Sequence, residues 1–76
     1  MTREEFTTLE SVKDWMERIA VHGLGRPPEP HQKERIDYLC GTFGLAPVMW
    51  HCRGCVNSRA KSLYEIYKEA KKIHGN

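Results

Sequence analysis

The sequence predicts a small all-α protein: a three-helix bundle with an ordered loop or short extended segment at residues 45–56 before the last helix. Three stretches place apolar residues at three- and four-residue steps, the spacing of one helical face. Each stretch begins near a capping residue or a proline and ends near a glycine. With 76 residues the chain has room for one core, so we predict a single helical domain over residues 1–76.

The first helix is predicted from about residue 3 to residue 22. Its apolar face consists of Phe6, Leu9, Val12, Trp15, Met16 and Ile19. Thr2 and Glu5 have the spacing of a capping box, in which two side chains satisfy free N–H groups of the first turn. Gly23 is a natural helix terminator, because glycine readily adopts the left-handed backbone conformation that ends many helices. The stretch GLGRPPEP follows, and its three prolines indicate a connector because proline disrupts helix interiors and central strands.

The second helix is predicted over residues 31–43, with Pro30 in a favourable first position and Gly44 at its end. Its apolar face carries Ile36, Leu39, Cys40 and Phe43. The third helix is predicted over residues 57–74, with Asn57 or Ser58 as its cap. Its apolar face carries Ala60, Leu63, Ile66, Tyr67, Ala70 and Ile73, and Gly75 closes it.

Composition favours a folded protein that stays in the cytoplasm. Hydrophobic residues make up 39% of the chain and charged residues 29%, which is too apolar for a disordered segment. The N-terminus has no apolar run typical of a signal or anchor, and no stretch is long enough to span a membrane. We therefore expect the three cysteines to be reduced, and their odd number argues against a disulfide framework.

The stretch MWHCRGC, residues 49–55, suggests a zinc site. Cys52 and Cys55 have the two-residue spacing that presents two thiolates to one tetrahedral ion. Cys40 is a candidate third ligand, and the fourth is His51 if the chain kinks locally, Asp37 one turn before Cys40, or a water. Against zinc, Cys40 lies in the apolar stripe of its helix, where a cysteine behaves as a small hydrophobic residue. Zinc is accordingly the one cofactor that the sequence suggests.

The same cysteines suggest a redox dithiol, because a CxxC motif at a helix N-terminus has its first thiol acidified. Trp50, Cys52 and Cys55 resemble the Trp-x-Cys-x-x-Cys motif of thioredoxins over about seven residues. A thioredoxin-like fold needs βα units before the motif and further strands after it. Here predicted helices precede the motif and one helix follows, so the resemblance does not extend to the fold.

The last predicted helix has a basic face that suggests nucleic-acid binding. Lys61, Lys68 and Lys72 lie opposite Leu63, with Tyr64 on the flank and Arg59 near the N-terminal end. Such a stripe can follow a phosphate backbone while the tyrosine stacks on a base. A solvated helix face is the competing interpretation, because glutamates interrupt the stripe. The alternative function is thus a zinc-stabilised nucleic-acid-binding module, and the second alternative is the dithiol redox protein.

No phosphate-binding, dinucleotide-binding, metalloprotease or EF-hand motif is present. The sequence therefore predicts a non-enzymatic binding protein, such as a regulator, adaptor or inhibitor, that docks on a larger macromolecule. We expect a protein partner and no membrane association. Met49, Trp50, Arg53 and Tyr64 are the candidate contacts, because aromatic, Met and Arg side chains are enriched in interface cores. An equally good role for Trp50 is to close one end of the bundle. The oligomeric state stays open.

Overall fold

The computed structural model describes residues 1–23 and 28–74. They form four helices: α1 (Arg3–Ser11), α2 (Lys13–Ala20), α3 (Pro30–Thr42) and α4 (Arg53–His74). No strand occurs in these ranges, which confirms the all-α prediction. Within the same ranges no helix is both long enough and apolar enough to cross a membrane. Residues 24–27 of the predicted connector and the predicted terminator Gly75 lie outside the described residues.

The predicted first helix is two helices, α1 and α2, which meet at Val12. The Val12 backbone has φ −117° and ψ 13°, and its N–H donates to the Leu9 carbonyl at 3.1 Å. Three side-chain hydroxyl groups of α1 donate hydrogen bonds to backbone carbonyls of the same helix: Thr7 to Arg3, Thr8 to Glu4, and Ser11 to Thr8. Because such bonds compete with regular helix geometry, they account for a break at this position. The bundle therefore has four helices where the sequence predicted three.

The capping box at the start of α1 is confirmed. The Thr2 hydroxyl accepts the Glu5 N–H at 3.1 Å, and the Glu5 carboxylate accepts the Thr2 N–H at 2.9 Å. Each bond satisfies a backbone N–H that has no partner within the helix. The local pattern alone thus determines where α1 begins.

We expect Thr2→Ala to lower the free energy of unfolding by about 0.5–2 kcal/mol, the usual cost of losing an N-cap. Thr7→Ala is the matched control, because the Thr7 hydroxyl only bonds back to the Arg3 carbonyl. That change should stay within about 0.5 kcal/mol. Urea denaturation followed by circular dichroism measures both, and equal effects of the two substitutions would contradict the capping role.

The α1–α2 segment runs antiparallel to α4. The Phe6 ring stacks on Tyr67 with centroids 5.8 Å apart, and it lies 5.6 Å from the His74 ring at the end of α4. At the other end, the Trp15 ring lies 6.0 Å from Trp50, just before α4 begins. One core joins all four helices, and its fully buried larger side chains are Leu9, Val12, Met16, Ile36, Leu39, Cys40 and Leu63.

The end of α3 forms as predicted. Gly44 has φ +70°, and the Leu45 N–H reaches back to the Cys40 carbonyl at 2.8 Å. A left-handed residue followed by such a bond is the Schellman ending of a helix. Leu45 then packs against the core, which directs the chain into the loop that leads to α4.

Helix α4 begins at Arg53, four residues before its predicted start at 57. The Val56 N–H donates to the Cys52 carbonyl at 3.0 Å, and the Cys55 N–H lies 3.4 Å from the Cys52 sulfur. The Cys52 side chain thus occupies the capping position that the sequence assigned to Asn57 or Ser58. Consequently the predicted segment 45–56 is shorter than expected, and the second cysteine belongs to the first turn of α4.

Candidate functional site

The loop that leads into α4 presents a small exposed surface, which we call the entry surface: Met49, Trp50, His51 and Arg53. Met49 is 51% exposed, and the His51 and Arg53 side chains are exposed as well. Val48, directly before them, is buried in the core and fixes the loop from within. The structure therefore brings together Met49, Trp50 and Arg53, three of the predicted contacts.

Trp50 is half-buried, and two neighbours hold its ring. The Trp15 ring of α2 packs against the Trp50 ring, with the ring centroids 6.0 Å apart and an angle of 56° between the ring planes. The Lys33 ammonium lies 5.6 Å from the centre of the Trp50 ring, within range of a cation–π interaction. The residue thus closes this end of the bundle while part of its surface stays accessible. These contacts support the role of closing the bundle end, and the role of Trp50 as a partner contact stays a prediction.

Arg59 braces the loop. Its Nε donates to the Ala46 carbonyl at 2.7 Å, a bond between residues 13 apart in sequence. The bond ties the loop to the second turn of α4, and it satisfies a carbonyl that has no helix or strand to pair with. The sequence predicted Arg59 as a partner contact. Nothing in the residue pattern around it indicated this hydrogen bond.

The three cysteines occupy two different environments. Cys40 is 1% exposed in the core, and burial raises the pKa of its thiol, with Asp37 adding to the effect. Cys52 and Cys55 are partly exposed at the start of α4. The Cys55 N–H lies 3.4 Å from the Cys52 sulfur, and hydrogen bonding by Cys55 lowers the pKa of Cys52. The neighbouring Cys52 sulfur raises the pKa of Cys55.

This arrangement does not gather the predicted zinc ligands. Among residues 1–23 and 28–74, no group of three or more His, Cys, Asp or Glu side chains is placed to hold a metal ion. Cys40 lies in the buried face of α3 with Ile36 and Leu39, as the competing interpretation of its position proposed. The His51 side chain is exposed. Zinc binding by Cys40, Cys52, Cys55 and His51 therefore stays a prediction that the geometry does not support.

The basic face of α4 is largely paired with acidic residues of the same helix. Lys68 lies 3.0 Å from Glu65, and Lys72 lies 3.3 Å from Glu69. The Lys68 ammonium also covers the Tyr64 ring at 5.2 Å, and Tyr64 is itself half-buried. Lys61 is exposed. Because two of the three lysines have carboxylate neighbours and the tyrosine face is covered, the stripe fits the interpretation of a solvated helix face.

An apolar groove lies at the opposite end of α4 and was not predicted. It encloses about 410 Å³ and is lined by Met1, Glu65, Ile66, Glu69, Ala70, Ile73 and His74. Ile73, which the sequence placed on the core face, is 76% exposed. Ile73 in the groove and Arg53 in the entry surface are separated by about 30 Å along α4, at 1.5 Å per residue.

Comparison with models of protein families, with curated proteins and with solved structures finds no match to this chain.

Proposed function

We propose that this chain is a non-enzymatic binding protein, a regulator, adaptor or inhibitor that docks on a protein partner through the entry surface. The observation that carries the proposal is the half-exposed Met49 beside a tryptophan already held in place by Trp15 and Lys33. Large, fixed apolar side chains of this kind dominate the binding energy of protein interfaces.

The entry surface needs little ordering on binding. Trp50 contacts both Trp15 and Lys33, and Arg59 ties the loop to α4 through the Ala46 carbonyl. Ordering a flexible side chain on association costs about 0.5–1.5 kcal/mol, and a fixed side chain avoids most of that cost. A preorganised loop is therefore a better docking element than the lysines of α4, which are exposed and held only by surface ion pairs.

Charge indicates the chemistry of the partner. Between Asp37 and Glu65 the sequence contains no aspartate or glutamate, while Arg53, Arg59 and Lys61 are basic. The entry surface lies within this stretch, so its apolar centre is flanked by cations. The partner that complements it carries an apolar pocket for Met49, with carboxylates at the rim facing Arg53.

A photo-activatable cross-linking residue at position 49 tests the proposal in cells that produce the protein. We expect irradiation to yield one discrete protein adduct, because Met49 lies at the centre of the proposed contact. The adduct should be lost when Arg53→Glu is introduced into the same chain, since this change places a carboxylate against the partner's carboxylates.

Position 73 carries the matched control, because Ile73 is also apolar and exposed but lies at the other end of α4. The same cross-linker there should not capture that partner. Equal capture at both positions would indicate non-specific adhesion and contradict the proposal. An adduct whose added mass is removed by nuclease would instead favour the nucleic-acid alternative.

A further inference from the structure

We propose that Cys52 and Cys55 form a dithiol–disulfide exchange site in which Cys52 attacks a disulfide substrate and Cys55 resolves the mixed disulfide. This inference goes beyond docking and does not depend on it. It begins with the contact between the two residues: the Cys55 N–H lies 3.4 Å from the Cys52 sulfur.

The pair is placed for bond formation. A disulfide joins sulfurs about 2.05 Å apart and tolerates only a narrow range of backbone separations. Here Cys52 directly precedes α4 and Cys55 lies in its first turn, and the Cys55 N–H donates to the Cys52 sulfur. Both thiols are partly exposed, so a substrate can reach them.

The surroundings assign different roles to the two thiols. The Cys55 N–H at the start of α4 donates to the Cys52 sulfur, and such a donor stabilises the thiolate that attacks. Cys55, three residues along in the first turn of α4, is then the thiol within reach to resolve the mixed disulfide. Cys40 is 1% exposed and takes no part, because an attacking sulfur must approach the substrate disulfide in line.

The exchange balances with a small disulfide, such as oxidised glutathione, as the oxidant. The Cys52 thiolate attacks one sulfur of the substrate, the substrate S–S bond breaks, and one glutathione thiolate leaves and takes up a proton. Cys55 then loses its proton to solvent and attacks the Cys52 sulfur, which releases the second glutathione thiolate. Two electrons pass from the protein dithiol to the substrate, and the products are one protein disulfide and two thiols.

Oxidised glutathione added to the reduced, full-length protein tests the assignment, with acid quenching and mass spectrometry. We expect the wild type to lose two hydrogens with little lasting adduct, and peptide mapping to join Cys52 to Cys55. Cys55→Ser should accumulate one mixed disulfide on Cys52. Cys52→Ser, in which serine preserves a helix cap, should form no protein disulfide and should react more slowly than Cys55→Ser, which keeps Cys52 and the backbone N–H of residue 55 that stabilises its thiolate.

Wild-type measurements alone can overturn the proposal, whatever the variants do. A glutathione adduct that persists on wild-type Cys52 would show that Cys55 does not resolve it. Reaction of Cys40 at the rate of Cys52 would show that the helix start gives no advantage. Thiols that react only after a chelator is added would assign the pair to a metal instead.

Discussion

Replacing Leu63 by alanine is expected to lower the free energy of unfolding by about 2–5 kcal/mol, the usual cost of truncating a buried leucine. Leu63 is 0% exposed and lies on the inner face of α4, the helix that packs against α1, α2 and α3. A chain of this size is stabilised by a total on the order of 5 kcal/mol, so the loss removes much of it. The variant should be partly unfolded at 37 °C, a temperature at which ~100-residue domains have little stability to spare.

Ile73→Ala is the matched control for this core substitution, because it removes a similar aliphatic group from the same helix at a position 76% exposed. Its free energy of unfolding should change by less than about 0.5 kcal/mol. Urea denaturation of both variants, followed by far-ultraviolet circular dichroism, gives the comparison. Similar losses at the two positions would contradict the packing of α4 described above.

Helix ends that depend on neighbouring residues were predictable from the sequence. The Thr2–Glu5 capping box and the left-handed Gly44 involve groups within a few positions of each other, and both form as expected. The break at Val12 was not predicted, because the apolar spacing continues through it and Val12 itself is buried. The spacing of apolar residues indicates which side of the chain faces the core. That side does not change when a few backbone hydrogen bonds are interrupted.

The start of α4 shows a different limit. Cysteine is not among the preferred N-cap residues, whereas Asn57 and Ser58 are, so sequence reasoning placed the helix start too late. The CxxC spacing itself was visible, and so was the group of Met49, Trp50 and Arg53. The contacts that fix this group, Arg59 with Ala46 and Trp50 with Trp15, join distant parts of the chain and leave no local signature.

Binding of the partner should fall at least about 30-fold when Met49 and Arg53 are both changed to alanine, a loss of about 2 kcal/mol. Both side chains project from the entry surface, and neither contributes to the core. Trp50→Ala is less informative, because it also removes the contact with Trp15 and the cation–π interaction with Lys33. We therefore expect that variant to lose fold stability together with affinity. Thermal unfolding of the Met49 and Arg53 variant should match the wild type.

The most direct test of the docking account is the equilibrium affinity of the cross-linked partner for two double variants. One removes Met49 and Arg53, and the other replaces Lys68 and Lys72 with alanine on the basic face of α4. The account predicts a loss of about 30-fold or more for the first. For the second it predicts a change within about threefold, because exposed paired charges contribute little to binding. If the Lys68 and Lys72 variant lost affinity while the Met49 and Arg53 variant kept it, the docking proposal would be contradicted.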